Sequence, residues 1–531
     1  MTASQQRDEA VRERARAEQR LTQLLRLANK TLFDIHDSIA KLPGATEARR
    51  ELVKTTLDYL ETIERESGLD DRTRLVLSLA YFKIAGVQGA PNQPSLGDFE
   101  DALKSYRKAE ALLAPLYERS RNDPEVLLRW IEVEAGLADL TVRHFQRQEG
   151  IAVYSKLLPI AHKLAALRPT IEGVSQEAVL HGELSKALQS TNTTAALEHA
   201  NRQLAIVTEL TSRFPGNLDL QQELGAALAG AASSSKDAGD LAASMEYFER
   251  SVRIREQVLQ AEPNNVNIQR NLLVVYGNYA TLLGIPWSAN LGHSAEARTY
   301  CEKAIAMARR MVAADPADQT ARYDLAMSLA RLGMVEPGPG GAADSLKSLQ
   351  EALAILDPIA KANPNSTSIA IQVALARQYA GTRMRMLGQP IAAAECFRLA
   401  LADLEGMINA KPNEPFGIAQ AIAAEEGLAE LYAAQGDRGT ALDYANRAVS
   451  RGERYSAAFP GDNPRGYLAN AYFVLASVQR TLGDGERAGA AVERALSLWR
   501  ALKNPGTIAL HKRSMELGEA LLRDVEAGRV H

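Results

Sequence analysis

Cysteine is nearly missing from this chain of 531 residues, with only Cys301 and Cys396 present. Two thiols cannot build a zinc framework and contribute little as a cross-link, and their matching places in two repeats mark them as core thiols. Aromatic residues are also few, at 5%, while alanine is abundant, a composition that suits closely packed helices. No run of about 18 apolar residues occurs, so no helical segment of this sequence is expected to span a bilayer. The opening stretch, MTASQQRDEAVRERARAEQR, lacks the apolar segment of a secretion signal. Charge of one sign is missing as well: 61 basic side chains face 65 acidic ones, for a net charge of −4. That balance gives no electrostatic ground for a nucleic-acid partner.

What the chain does have is a beat. Pro263, Pro316, Pro364, Pro412 and Pro460 follow one another at intervals of 53, 48, 48 and 48. Each stands twelve positions after a small residue: Ser251, Ala304, Ala352, Ala400 and Ala448. A recurrence of this length predicts a stacked array of helix pairs in place of one globular core. Within the second helix of several units a small residue is followed four positions later by a bulkier one, then three later by another small one. Ala102-Tyr106-Ala109, Ser244-Phe248-Ser251, Ala297-Cys301-Ala304, Ala393-Phe397-Ala400 and Ala488-Val492-Ala495 are the examples. Those spacings place all three side chains on one helix face. Short turns carry Gly239-Asp240, Gly388-Gln389, Gly436-Asp437 and Gly483-Asp484, glycine for a left-handed cap and Asp for the start of the next helix.

The pattern resembles the tetratricopeptide repeat, and Leu325-Ala326, Leu428-Ala429 and Leu475-Ala476 match its first-helix element. The likeness runs over roughly residues 72 to 504. The standard repeat is about 34 residues long, so an interval of 48 predicts that both helices are longer by about two turns. The expected fold is all-α: a right-handed superhelical solenoid of about nine long-helix tetratricopeptide-like pairs. A charged helical extension is expected over residues 1–22 and an N-terminal helical hairpin cap over 23–71. The repeat array follows over 72–505, with units ending near 124, 169, 215, 263, 316, 364, 412, 460 and 505, and a C-terminal capping helix over 506–531 closes it.

Two stretches resemble a more particular module. These are Leu27-Ala28-Asn29-Lys30-Thr31-Leu32-Phe33-Asp34-Ile35-His36-Asp37 through Arg49, and Gly86-Val87-Gln88-Gly89 through Ala109. Both are similar to the repeat region C-terminal to the catalytic domain in bacterial serine/threonine protein kinases. The resemblance implies a sensor or docking region of a kinase signalling system. It also implies an extracytoplasmic setting if the chain is a fragment of a membrane-anchored kinase, and a cytoplasmic one if it stands alone. The kinase domain itself is absent: there is no phosphate loop with its strand Lys, no His-Arg-Asp loop and no Asp-Phe-Gly metal site. Gly338-Pro339-Gly340-Gly341 before Lys347-Ser348 fails as a phosphate loop because Leu346 stands where glycine is required. His162, His181 and His199 fall on three consecutive predicted helices, but no paired metal-ligand spacing supports a metal site. No catalytic residue, metal or cofactor is expected.

Function is therefore expected on a surface. Counting back from each turn glycine, the first helices place Asn278, Tyr323, Arg331, Gln378, Thr382, Arg385, Glu426, Glu430, Ser477 and Arg480 on the concave wall. Expanded turns at 86–98, 284–293 and 333–341 form a loop edge with Asn92, Trp287, Asn290 and His293. Arg331 and Arg385 make the wall most cationic in units six and seven. The expected partner is thus a protein or peptide with an acidic group beside an apolar anchor. The alternative is a small-ligand sensor whose expanded loops close over a metabolite, for which an apolar pocket beneath Trp287 would speak. An unrecognised enzyme would instead need a buried cluster of shifted histidine and carboxylate groups.

Overall fold

A computed structural model describes residues 46–66, 70–89, 96–143, 147–189, 191–338, 340–364, 366–410, 412 and 415–529. The charged extension, the first helix of the expected hairpin with His36, and Asn92 lie outside the described residues. In chain order the helices are α1 (Thr46–Glu66), α2 (Asp71–Gly89), α3 (Phe99–Arg119), α4 (Pro124–Arg143) and α5 (Arg147–Leu167). There follow α6 (Ile171–Leu188), α7 (Thr193–Arg213), α8 (Leu218–Ala238), α9 (Leu241–Ala261) and α10 (Val266–Gly284). Next come α11 (Ser294–Ala314), α12 (Gln319–Met334), α13 (Ala342–Ala362), α14 (Thr367–Met386) and α15 (Pro390–Ala410). The last are α16 (Pro415–Ala434), α17 (Arg438–Ala458), α18 (Asp462–Thr481), α19 (Gly485–Arg500) and α20 (Pro505–Arg529). Among the described residues there is no strand. A typical helix of 21 residues is about 31 Å long, so these are helix pairs of tetratricopeptide type with both members lengthened.

The periodic prolines break the chain in two ways. Pro169, Pro215, Pro263, Pro316, Pro364, Pro412 and Pro460 stand between helices, whereas Pro124 and Pro505 are the first residues of α4 and α20. The first helical position tolerates proline because its amide would have no intrahelical partner. Gly239, Gly388, Gly436 and Gly483 all adopt positive φ, between 71° and 91°, which is the left-handed cap that ends a helix. Asp240, Asp437 and Asp484 then accept from the amides of Ala243 (2.9 Å), Thr440 (3.1 Å) and Arg487 (3.3 Å). One boundary differs from expectation. The first expanded turn does not begin at Gly86, because α2 continues through Gly89. Burial holds it helical: Val87 and Gln88 are both covered, and Gln88 Oε1 accepts from Ser105 Oγ of α3 at 2.7 Å.

The chain divides into two units, described separately. The first takes the described residues of Met1–Gly230, Arg253–Asn271 and Arg310–Ala321. Each helix from α2 to α7 packs on the next, and α2 and α6 also touch α4. Within this unit Asp315 Oδ2 accepts from the amide and hydroxyl of Thr46, at 3.2 and 2.7 Å, across a sequence distance of 269. The second unit takes Ala231–Val252, Leu272–Arg309 and Arg322–His531. There α13 to α20 pack successively, and α14, α16, α18 and α20 also meet one another in turn. Gly239 lies against Pro505, so closely that a Cβ on it would come within 2.4 Å of the proline.

The small–large–small faces are the seams of both units, since all five triads are buried. The Phe397 ring shows how tight such a seam is. A Cβ added at Gly427 would stand 2.6 Å from it, and one at Gly381 would stand 3.1 Å from it and 3.2 Å from the Ala393 carbonyl. A tryptophan at Gly381 therefore has no volume to occupy. Gly381→Trp is expected to lower stability by at least about 1–3 kcal/mol, read as a lower denaturation midpoint. An unchanged midpoint would show that the seam is not packed this way.

Candidate functional site

In the second unit the first helices of successive pairs come together around a cavity of about 400 Å³. From α14 it is lined by Leu375, Gln378, Tyr379, Thr382 and Arg385, and from α16 by Gln420, Ala423, Glu426, Gly427 and Glu430. Tyr467, Asn470, Phe473 and Val474 of α18, Leu510, His511 and Ser514 of α20, and Phe397 of α15 also line it. Pro286 and Trp287 reach it from the expanded α10–α11 turn. Steps of three and four along each helix put these residues on a single face, which is why one set of side chains lines the space. The volume falls in the range that holds a small molecule or one or two peptide side chains.

Five of the ten wall positions and one of the four loop positions expected from sequence meet here: Gln378, Thr382, Arg385, Glu426, Glu430 and Trp287. Asn278, Tyr323, Arg331, Ser477 and Arg480 do not line this cavity, nor do Asn290 and His293. Arg331 is half-buried, with its guanidinium close against Gly277 and its charge disfavoured by burial. Asn290 ties its own loop together, donating to the carbonyls of Ser288 (2.8 Å) and Ile285 (3.3 Å). His293 is exposed beside Glu296, at 3.7 Å.

The polar lining is mostly satisfied by its own neighbours. Gln378 Nε2 donates to the Gln420 carbonyl at 2.9 Å, joining α14 to α16. Thr382 Oγ1 donates back to the Gln378 carbonyl at 3.0 Å. Arg385 Nη1 donates to Glu430 Oε2 at 2.8 Å, so the cation expected to attract an acidic ligand is already paired. Glu426 is different. It is 8% exposed, Asn470 Nδ2 donates to its Oε2 at 2.9 Å, and no described group donates to its Oε1. Burial pushes its carboxyl up to about 8, against the Asn470 hydrogen bond and with smaller contributions from Glu430 and Glu425. His511 stands edge-on to Tyr467, with ring centres 5.7 Å apart, and burial pushes it down to about 4. It is a neutral, apolar-facing ring at neutral pH. Tyr467 is pushed up to about 12 by burial and by Glu426.

No protein-family model matches the chain. No curated protein matches it either. Solved structures do. The chain is similar to a signal-transduction ATPase with numerous domains that carries a tetratricopeptide repeat sensor, from Pyrococcus horikoshii, at 14% identity and a TM-score of 0.44, covering 89% of this chain and 66% of that one. It is similar to a tetratricopeptide repeat protein from Parabacteroides merdae, at 16% identity and a TM-score of 0.32, covering 66% and 99%. A third is a Rap protein complexed with Competence and Sporulation Factor, at 12% identity and a TM-score of 0.39, covering 75% and 99%.

Sequence reasoning missed Tyr379, Tyr467, Asn470, Phe473 and His511. One of them had a usable signal. Gln378 and Glu426 each stand ten positions before their turn glycines, Gly388 and Gly436, and Phe473 stands ten before Gly483. His511 had none, because α20 is followed by no further turn glycine from which to count. Elsewhere, His181 and His199 bring their Nδ1 atoms to 2.8 Å, and His162 Nδ1 lies 3.4 Å from Glu177. Burial, with mutual repulsion at His181, lowers both of the paired histidines. Among the described residues no group of three or more His, Cys, Asp or Glu side chains has the arrangement to hold a metal ion. Cys301 is buried and Cys396 half-buried, and both are free thiols.

Proposed function

We propose that this chain is a non-catalytic interaction scaffold that holds a peptide segment of a partner protein in the cleft between α14, α16, α18 and α20. The observation that carries the reading is the convergence of three successive first helices, the capping helix α20 and Trp287 on one aromatic-rich cavity. Extended and helical peptides dock on such helix-lined clefts by seating alternate anchors between side chains. The likeness of residues 27–49 and 86–109 to the region following bacterial serine/threonine kinases supports a sensor or docking role in such a signalling system. Arg385 is engaged by Glu430, which leaves this cation paired when an acidic partner arrives.

Filling the cleft tests the scaffold reading. Ala423 is half-buried on the lining, so Ala423→Trp would occupy the space while leaving the helix seams alone. Peptides selected from a displayed random library on the unsubstituted protein should bind this variant at least about tenfold more weakly, a loss of about 1.4 kcal/mol. Circular dichroism should show the fold retained. If every selected peptide binds Ala423→Trp as well as the parent, the cleft is not the peptide site. A second reading, a small-ligand sensor, is favoured by Trp287 on the cavity lining. It predicts that a free metabolite, and no peptide, protects the protein against thermal unfolding.

A further inference from the structure

We propose that the Glu426 corner of this cleft is a cation subsite that takes the side-chain ammonium of a lysine on the bound peptide. The inference deepens the peptide-scaffold reading and rests on it for the identity of the occupant. Three observations converge on it. The Glu426 carboxylate is buried on the lining, with one oxygen held by Asn470 and the other without a donor. A buried acceptor left unpaired costs free energy that an entering donor recovers. The surroundings supply aromatic surface: Tyr379, Phe397, Tyr467, Phe473 and Trp287 all line the same space. Aromatic faces attract cations through their quadrupoles and also cover the apolar stem behind the charge.

The nearby cations are committed elsewhere. Arg385 is bonded to Glu430, while Arg447 and Arg451 face Glu425, about 100° round α16 from Glu426. The single unpaired oxygen is itself covered, and a compact ammonium suits it, donating one bond there and presenting its remaining protons to ring faces. A guanidinium delivers its bonds as a rigid fork suited to both oxygens of a carboxylate, and Asn470 already holds one of them.

The charged state of the pocket then depends on its occupant. Around Glu426 stand Glu430 with Arg385, Glu425 with its arginines, Tyr379, Tyr467 and His511. Tyr467 is pushed up to about 12 and His511 down to about 4, so neither changes charge near neutrality. The empty pocket holds Glu426 protonated below about pH 8, and a cation binds the ionised form. Entry of the ammonium therefore releases a proton, and affinity rises with pH. Between pH 6 and pH 8 the ionised fraction of the empty pocket grows about fiftyfold for a group titrating near 8.

The probe is n-butylammonium, which copies a lysine side chain, with neutral n-butanol as control and the fluorescence of Trp287 as the readout. Subtracting the trace of Trp287→Phe assigns the signal. Saturable binding is expected to the full chain, at least about tenfold stronger at pH 8 than at pH 6, lost in Glu426→Gln and absent with n-butanol. Library-selected peptides should carry lysine and should also lose at least about tenfold on Glu426→Gln. No saturable response to n-butylammonium, or equal binding by Glu426→Gln, overturns the subsite. Peptides weakened by Ala423→Trp but untouched by Glu426→Gln would overturn the cation claim and leave the peptide cleft standing. A Glu426-dependent response to n-butylammonium alongside peptides indifferent to Ala423→Trp would instead overturn the peptide reading, and with it the lysine as occupant.

Discussion

Replacing Arg451 by Met is expected to cost about 3–5 kcal/mol of folding stability, the largest effect of any single substitution considered for this chain. Glu425 sits on α16 with its side chain fully covered, at 0% exposure. Arg451 of α17 grips both of its oxygens, at 2.8 and 3.0 Å, and also reaches Glu405 of α15 at 3.0 Å. Met keeps the length and apolar character of the arginine stem but removes the charge, so Glu425 would remain buried with its main partner gone. Arg447 would still stand 3.4 Å away, but it is 41% exposed and solvent screens it. The double variant Arg451→Met with Glu425→Leu should recover most of the loss, because it removes the stranded charge along with its partner. Urea unfolding of the three proteins provides the comparison. A single variant as stable as the parent would show that the bridge carries no such weight.

Arg383→Met is expected to cost at least about 1–3 kcal/mol, the cost of leaving a buried polar group unsatisfied. Arg383 rises from α14 into the end of α12, where Nε donates to the carbonyl of Gly333 at 3.3 Å. Nη2 donates to those of Met334 and Val335 at 3.1 and 3.2 Å. These are carbonyls that a helix leaves without partners in its last turn, and the positive group also complements the helix dipole there. Burial disfavours the charge, and Glu336 offsets this in part. Arg383→Lys should not restore stability, because a lysine delivers a point charge where a fork spanning three carbonyls is needed. Unfolding by denaturant would read both variants. Full rescue by lysine would mean that charge alone suffices.

How much of this was readable in advance depended on whether a signal repeats. The Ala393-Phe397-Ala400 type of face and the glycines at 239, 388, 436 and 483 recur at fixed spacing, and the structure buries the former and caps helices with the latter. Half of the expected wall, Gln378, Thr382, Arg385, Glu426 and Glu430, did reach a common cavity because helical register is local. Pairing across repeats is not local. Nothing in the sequence says that Arg385 will meet Glu430, 45 residues on, or that Asn470 will hold one oxygen of Glu426 and leave the other. Adjacent acids also diverge in fate. Glu425 turns to the arginines of α17 and Glu426 to the cavity, a difference set by the roughly 100° between neighbours on a helix. Arg331 shows the opposite failure, since its wall register was clear but a glycine opposite, Gly277, let its side chain sink.

The contacts of Thr46 with Asp315 and of Gly239 with Pro505 bear on how such a chain comes apart. They join positions 269 and 266 (505 − 239) residues distant, many helix pairs away. An array whose members touch only adjacent members melts one piece at a time from its ends. Here loosening α20 exposes the turn at Gly239, and loosening α1 frees the turn at Asp315. Fraying of α1 or α20 is thereby tied to the interior of the same unit, and each unit is set up to lose its order cooperatively instead of by gradual erosion.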